Sequence, residues 1–283
     1  MKIQFTKMHG CGNDYVYING FTQQIPNEEK PDFVRFVSDR HFGIGSDGVI
    51  FINPAQEADF EMEMYNADGS RSEMCGNGIR CVAKYVHDKG LTDQTQFSVV
   101  SGGKVKYMDL TVVDGNTTLV KVDMGEPVLE SELVPVVSQN QQVIDETIEV
   151  LGKEYQMTCV SMGNPHAVIF WEDVKHLEIE KIGPWFENHE RFPRRTNTEF
   201  VEVLDDSHVK MRVWERGSGE TWACGTGASA VAVACALNGK TGRKVDVELV
   251  GGTLTIEWKE EDNHVYMTGP AEFSFDGVWL QEV

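Results

Sequence analysis

Apolar and polar residues alternate in short segments along most of the 283-residue chain. Residues 60–65 show this alternation most clearly, and a period of two residues is typical of a half-buried β-strand. Further predicted strands cover residues 97–100, 117–122, 209–214, 245–249, 253–258 and 265–268. The pattern therefore predicts a chain built mostly of strands.

Three segments carry the signals of helices. One begins near Pro31 and extends to residue 38, because proline is favoured in the first turn of a helix. The other two cover residues 76–89 and 225–238, and each stops before a glycine, Gly90 or Gly239, a residue type that commonly ends helices. We therefore expect few helices among many strands.

The two longer helices share a start motif, which indicates an internal duplication. Residues 75–78 read Cys-Gly-Asn-Gly and residues 224–227 read Cys-Gly-Thr-Gly. Three other pairs of segments recur in the same order at a spacing of about 150 residues, as in a duplicated domain: 68–70 with 216–218, 12–14 with 163–165, and 46–49 with 197–200. We predict two halves, residues 1–125 and 126–283, with the C-terminal strand as a candidate to complete the first half.

The net charge excludes two classes of partner. The chain has 25 Lys and Arg against 45 Asp and Glu, a formal charge of −20. Binding to nucleic acid requires a basic surface that neutralises phosphates, and an anionic membrane requires the same. A hydrophobic content of 41% is ordinary for a folded protein. We therefore expect a globular protein that binds neither nucleic acid nor membranes.

The distribution of apolar residues and cysteines predicts the compartment. No apolar stretch is long enough for a transmembrane helix, and the first residues do not resemble a signal peptide. The six cysteines contain no CxxC pair, so neither a disulfide scaffold nor a zinc site is expected. We expect a reduced, cytoplasmic protein without a bound metal.

Cys75 and Cys224 each stand where a loop leads into a helix. The first turn of a helix has unpaired N–H groups and a partial positive charge, so it binds anions and favours a thiolate. A single cysteine at such a place is most often a buried structural thiol. Two at equivalent places of duplicated halves suit a reaction in which one thiol removes a proton and the other returns a proton to the opposite face of a carbon centre.

The chain resembles the diaminopimelate epimerase family over its whole length. The motifs that carry the resemblance are long and occur in the family's order. They cover residues 7–14, 65–70, 74–81, 163–166, 197–200, 214–221 and 224–227.

The resemblance implies an α+β fold of two pseudo-symmetric duplicated domains, each a mixed or antiparallel, barrel-like sheet around a central helix. It implies conversion of LL- to meso-diaminopimelate without a cofactor, in the biosynthesis of lysine and peptidoglycan precursors. It also implies a homodimer with an interface residue at Phe275.

The resemblance also assigns site residues. Cys75 and Cys224 are implied as the catalytic acid and base, and His166 and Glu215 as residues that influence the ionisation of the thiols. Implied substrate-binding residues are Asn13, Asn66, Gly76, Asn77, Asn164, Asn197, Glu215, Arg216, Gly225 and Thr226. Some family members carry glutamine at the place of Gly48, so a contact through that side chain is absent here.

The remaining cysteines and His9 are interpreted as structural. Cys11, Cys159 and Cys235 are expected to be packed thiols, and Cys81 is expected to point away from the first turn of its helix. Three other functions stay open: a racemase similar to proline racemase, a cysteine hydrolase, and an amino-acid-binding protein without catalysis. A hydrolase would leave the second equivalent cysteine unexplained.

Overall fold

A computed structural model describes residues 2–72 and 74–280. It divides the chain into two compact units. Unit 1 comprises the described residues up to Val122 together with those from Gly269 onward, and unit 2 comprises Asp123–Thr268. The N-terminal and C-terminal segments of the chain therefore belong to the same unit.

The described residues form strands and four helices. The helices are α1 (Lys30–Ser38), α2 (Gly76–Asp88), α3 (Ile179–Glu187) and α4 (Gly225–Leu237). The strands are β1 (Ile3–Gly10), β2 (Asn13–Asn19), β3 (Gly48–Asn53), β4 (Phe60–Asn66), β5 (Arg71–Ser72), β6 (Gln96–Ser101), β7 (Lys104–Val113), β8 (Asn116–Gly125), β9 (Glu146–Val150), β10 (Lys153–Ser161), β11 (Pro165–Phe170), β12 (Asn197–Val203), β13 (His208–Glu215), β14 (Gly219–Thr221), β15 (Lys244–Leu249), β16 (Gly252–Trp258), β17 (Val265–Gly269) and β18 (Glu272–Trp279).

The two units have the same strand order and the same strand directions. In unit 1 the order is β18-β1-β2-β3-β4-β6-β7-β8, with β5 beside β4. In unit 2 it is β9-β10-β11-β12-β13-β15-β16-β17, with β14 beside β13. In unit 1 the parallel pairs are β2–β3 and β4–β6, and in unit 2 they are β11–β12 and β13–β15. All other pairs in both units are antiparallel. The C-terminal strand β18 thus takes in unit 1 the place that β9 takes in unit 2.

The strand register identifies equivalent residues. Val49 pairs with Val16 and Tyr65, and Thr198 pairs with Ala167 and Trp214. Val49 therefore corresponds to Thr198.

This equivalence extends along the neighbouring strands. Asn13 corresponds to Asn164, Tyr15 to His166, Gly48 to Asn197, Ile50 to Glu199 and Asn66 to Glu215. The sequence-based match of 46–49 with 197–200 is therefore wrong by two residues. The loop from β2 to α1 is two residues longer than the loop from β11 to α3, so only the hydrogen-bonded ladder fixes the register.

Each sheet packs around one buried helix. In unit 1, α2 contacts β1, β2 and β7, and nearly all of its residues are buried. In unit 2, α4 contacts β10, β11, β12, β15 and β16. The sequence of α4 is rich in Ala and Val on every side, as required of a helix surrounded by strands. The predicted α+β fold with a central helix in each duplicated half is confirmed.

Several elements were not predicted from the sequence. The three predicted helices are present as α1, α2 and α4, but α3 was missed because Pro184 lies inside it and interrupts the helical pattern. Strands such as β3 and β11 were missed because they are buried on both faces and do not alternate. None of the described helices is both long and apolar enough to cross a membrane.

Candidate active site

Cys75 and Cys224 begin the two central helices in the same way. Each has an extended backbone, with φ −139° for Cys75 and −123° for Cys224, and each is the N-cap of its helix. The sulfur of Cys75 accepts a hydrogen bond from the Gly78 N–H at 3.3 Å, and that of Cys224 accepts one from the Gly227 N–H at 3.4 Å. A thiol held at a helix start with an N–H donor aimed at its sulfur is equipped to become a thiolate.

Asn13 and Asn77 are next to Cys75. The Cys75 thiol donates to Oδ1 of Asn13 at 3.1 Å, and Nδ2 of Asn77 approaches the same oxygen at 3.4 Å. The amide nitrogen of Asn13 donates to Asp47 at 2.7 Å. Burial raises the pKa of Tyr15 far above its usual range, and the nearby Cys75 and Asp47 raise it further. The structure therefore groups two predicted residues, Asn13 and Asn77, around the first cysteine.

Asn66 lies at the end of β4, opposite Gly48 of β3. Its side-chain amide donates to the Ser70 hydroxyl at 3.0 Å. A Cβ added at Gly48 would lie 2.0 Å from the carbonyl oxygen of Tyr65. The backbone here therefore leaves no room for the glutamine that some family members carry at this place.

Arg80 fixes the start of α2 and was not predicted as a functional residue. Its guanidinium is fully buried and donates to the Gly76 carbonyl at 3.1 Å, to Oδ1 of Asn77 at 2.9 Å and to the Pro270 carbonyl at 3.2 Å. It also lies 3.7 Å from the Cys11 sulfur. Arg80 thereby joins the first turn of α2 to the C-terminal segment of unit 1.

A chain of hydrogen bonds approaches Cys224. Thr226 Oγ1 lies 3.5 Å from the Cys224 sulfur, and Nδ2 of Asn164 donates to that hydroxyl at 3.3 Å. Nε2 of His166 lies 3.0 Å from Oδ1 of Asn164, and Nδ1 lies 2.7 Å from Glu199. The structure therefore brings together Asn164, His166, Thr226 and Cys224, all predicted, and adds Glu199.

Glu215 is the second carboxylate beside Cys224. Burial raises the pKa of the Cys224 thiol well above its usual range, and the charges of Glu215 and Glu199 raise it further. Hydrogen bonds from Thr226 and the Gly227 N–H oppose this rise. Burial also raises the pKa of Glu215, whose carboxylate accepts a hydrogen bond from Thr221. Cys224 is thus held more firmly in the thiol form than an ordinary cysteine.

Asn197 and Arg216 form a connected pair at the edge of unit 2. Asn197 is buried, and its amide group donates to the Pro165 carbonyl at 2.8 Å and accepts from the Arg216 backbone N–H at 2.9 Å. The Arg216 guanidinium donates to the Arg194 carbonyl at 3.0 Å. Asn197 therefore orders the backbone of Arg216, whose guanidinium has further donors that can grip a carboxylate.

The helix starts hold the remaining predicted residues. Gly76 and Gly225 are the first residues of α2 and α4, and their carbonyl oxygens accept hydrogen bonds from Arg80 and Ser229 within the helices. The N–H groups of a first helical turn have no intrahelical acceptor, so both starts can bind an anion.

The other cysteines are buried, as predicted for Cys11, Cys159 and Cys235. Cys11, Cys81, Cys159 and Cys235 are at most 4% exposed. Burial raises the pKa of Cys81 and of Cys235 to about 12. These thiols therefore stay protonated and inert at neutral pH. Among the described residues, no group of acidic, His and Cys side chains has the arrangement of a metal site.

Phe275 lies on β18, far along the chain from both Cys75 and Cys224. Its side chain is 51% exposed and makes an edge-to-face contact with Phe5, with ring centroids 5.9 Å apart. Phe273, Val278 and Leu280 are exposed on the same C-terminal segment. Unit 1 therefore carries an exposed apolar surface along β18.

Solved structures of low sequence identity share this fold. One is a phenazine biosynthesis protein from Bacillus anthracis, with a TM-score of 0.71 and 13% identity over 99% of this chain and 100% of that one. Another is a hydroxyproline epimerase from Agrobacterium vitis, with a TM-score of 0.65 and 15% identity over 98% of this chain and 91% of that one. The class is thus the duplicated α+β fold that these structures share.

Sequence comparison then identifies the family. The diaminopimelate epimerase family model matches residues 5–130 and 158–274. A diaminopimelate epimerase from Methanococcus maripaludis is 57% identical over 97% of this chain and 99% of its own length. One from Agathobacter rectalis is 58% identical over 97% and 98%. The chain belongs to the diaminopimelate epimerase family, and the predictions of that family and of an isomerase are confirmed.

Proposed function

We propose that this protein interconverts LL- and meso-diaminopimelate by moving protons between two thiols and one α-carbon. The observation that carries the proposal is the pair of cysteines that cap α2 and α4 with the same backbone geometry and the same N–H to sulfur contact. Family membership supplies the substrate. In this proposal, proton transfer between the two thiols and the substrate uses no cofactor.

The two thiols exchange roles in each turnover. A thiolate on one side of the α-carbon removes its proton and becomes a thiol, and the electron pair remains on the substrate. The thiol on the other side then donates its proton to the opposite face and becomes a thiolate. The configuration inverts, while the total number of protons and electrons is unchanged, so no oxidant or reductant is needed.

The helix starts provide the charge stabilisation that this step needs. When the α-proton leaves, negative charge spreads onto the adjacent carboxylate. The first-turn N–H groups at Gly76, Asn77, Gly225 and Thr226 are suited to hold that carboxylate, because N–H groups that point out of a helix start and the positive end of the helix dipole favour anions. This is the function that we assign to the two glycine-containing start motifs.

The second amino-acid group of the substrate needs a different set of contacts. Arg216 can bind the distal carboxylate through two N–H donors, and Glu215 can accept from the distal ammonium group. Further amide groups for the substrate come from Asn13, Asn66 and Asn164. The amide group of Asn197 acts through Arg216, whose backbone it binds. A substrate without the distal carboxylate would leave Arg216 without an anionic partner from the substrate.

The test uses the full chain with LL-diaminopimelate in deuterated water, without added cofactor. We expect meso product by chiral chromatography and one deuterium at the inverted α-carbon by mass spectrometry. Proline and lysine should show no comparable exchange. Exchange with proline but not with diaminopimelate, or exchange with neither, would overturn the proposal.

We further propose a cytoplasmic homodimer in the biosynthesis of lysine and peptidoglycan precursors. The exposed apolar residues of β18, Phe275 among them, are the proposed interface. Light scattering should give twice the chain mass for the wild type and a single chain mass for Phe275→Lys. Tyr107→Lys, on an exposed aromatic of β7, is the matched control, and a monomeric wild type would contradict the proposal.

A further inference from the structure

Glu199 is a buried carboxylate to which the proposed reaction assigns no part. Its side chain and that of His166 are both 0% exposed, and they meet at 2.7 Å. Within the described part of the chain, its second oxygen, Oε2, has no hydrogen-bond partner. A buried carboxylate oxygen without a partner costs stability. Its retention here therefore requires a reason other than packing.

The position of Glu199 places its charge against the start of α4. A Cβ added at Gly227 would lie 2.7 Å from Oε1 of Glu199 and 3.3 Å from the sulfur of Cys224. Oε1 and the sulfur thus both border the place that a side chain at position 227 would fill, and glycine leaves no side chain there to shield them. In such a buried place, two negative charges repel strongly.

Unit 1 shows that the fold does not need this charge. Ile50 occupies the equivalent place, and a Cβ added at Gly78 would lie 2.7 Å from its Cδ1. Tyr15 and Asn66 stand at the places of His166 and Glu215. At these three equivalent places, unit 1 has uncharged side chains and unit 2 has two carboxylates and a histidine.

We propose that Glu199 is a positioning residue that keeps Cys224 protonated in the substrate-free protein, so that Cys224 enters the reaction as the proton donor. Only the role of Cys224 as proton donor rests on the proposed function, because the protonation of its thiol can be measured without turnover.

The other charged groups near Cys224 have defined places in this arrangement. Glu215 of β13 acts in the same direction as Glu199, whereas the Gly227 N–H and the Thr226 hydroxyl of α4 favour the thiolate. His166 of β11 contacts Glu199 at Oε1 and reaches Thr226 through Asn164. Glu199 is thus linked to the sulfur both by charge and by a hydrogen-bonded chain.

The test measures the alkylation rate of Cys224 by iodoacetamide against pH, using peptide mass spectrometry on the full chain. Because only the thiolate reacts, the pH midpoint reports the ionisation of Cys224. In Glu199→Gln we expect the midpoint to fall by about one pH unit, which is about a tenfold faster reaction at a fixed pH below both midpoints. Glu202→Gln is the control, because it removes the same charge from the same strand, where Glu202 accepts instead from the Val174 N–H.

An unchanged or higher midpoint in Glu199→Gln would overturn the proposal. If that variant does not fold, the double variant His166→Tyr with Glu199→Ile installs the pair that unit 1 already packs at this place, and the same downward shift is expected. Epimerase assays of the same samples give a separate readout. A lower midpoint in Glu199→Gln, together with a wild-type protein that does not epimerise diaminopimelate, would support the function of Glu199 and reject the proposed reaction.

Discussion

The surroundings of Cys75 and Cys224 differ although their backbones do not. Cys75 is half-buried and contacts the neutral side chain of Asn13. Cys224 is 6% exposed and lies beside the carboxylates of Glu215 and Glu199. The helix start, the N-cap geometry and the N–H donor to sulfur are shared between the units, whereas the places of Ile50 and Asn66 in unit 1 hold the carboxylates of Glu199 and Glu215 in unit 2.

This difference shows which parts of a duplicated site are fixed and which can diverge. The backbone N–H groups that we assign to anion binding come from the helix start itself, so both units retain them. The side chains around each helix start are not fixed by the backbone, and those beside Cys224 change the ionisation of its thiol. A reaction that starts with one thiol protonated and the other ionised benefits from such divergence.

The largest expected effect is the loss of either thiol. Cys75→Ala and Cys224→Ala should each abolish epimerisation, because each removes one of the two proton carriers. Chiral product analysis measures the rate, and Cys81→Ala, a buried cysteine of the same helix as Cys75, is the control. A variant that kept more than about a tenth of the wild-type rate, equivalent to less than about 1.4 kcal/mol, would contradict the two-thiol scheme.

Replacement of Arg216 should weaken substrate binding next most strongly. Arg216→Met removes the guanidinium that we assign to the distal carboxylate, and a charged hydrogen bond contributes about 1.5–3 kcal/mol, or about 10- to 150-fold in KM. Steady-state kinetics with diaminopimelate measure this. The control is Arg194→Met. Arg194 is exposed and contacts Arg216 through its backbone carbonyl, so this variant should have a KM near that of the wild type. Equal effects of the two changes on KM would argue against the assignment.

The comparison of the two thiols predicts unequal alkylation in the wild type. Burial and the two carboxylates raise the pKa of Cys224, so its thiol stays protonated to higher pH and ionises only as the pH rises through that raised value. At pH 8, iodoacetamide should therefore modify Cys75 at least about ten times faster than Cys224, since only the thiolate reacts. Quantified peptides carrying the two cysteines give the ratio, and equal rates would remove the asymmetry.

Gly48 allows a test of stability in unit 1. Gly48→Ala would place its Cβ 2.0 Å from the Tyr65 carbonyl oxygen, and such overpacking lowers the free energy of unfolding by about 1–3 kcal/mol. Gly115→Ala meets no atom within 4 Å, so its only cost is that of its positive φ, about 1–2 kcal/mol. Urea denaturation compares the two, and equal losses would show that backbone conformation rather than the contact limits position 48.

The smallest expected effect is that of cofactor removal. If the two thiols carry both protons, chelation with EDTA and treatment with a carbonyl reagent should leave the epimerisation rate unchanged. Loss of activity that returns when a metal or pyridoxal phosphate is added back would show that the thiols do not act alone.

The sequence by itself determined the repeated features of this protein. The Cys-Gly-x-Gly motifs, the glycines after α2 and α4 and the alternating strands are local signals, and local backbone preferences do not depend on the rest of the fold. They predicted the duplication, both helix-capping cysteines and, through the long motifs, the family. Asn164 and His166 were also found in this way, because they lie within a continuous motif.

Only the tertiary structure decided which residues surround each thiol. Glu199 was visible within the motif at 197–200, but its place beneath Gly227 depends on the parallel pairing of β11 with β12 and on the packing of α4 over β12. The correct match of Ile50 with Glu199 required the ladder register, since loops of unequal length shift the spacing in sequence. Charge around a buried sulfur arises from residues that are distant along the chain, so it is set by packing and not by any local pattern.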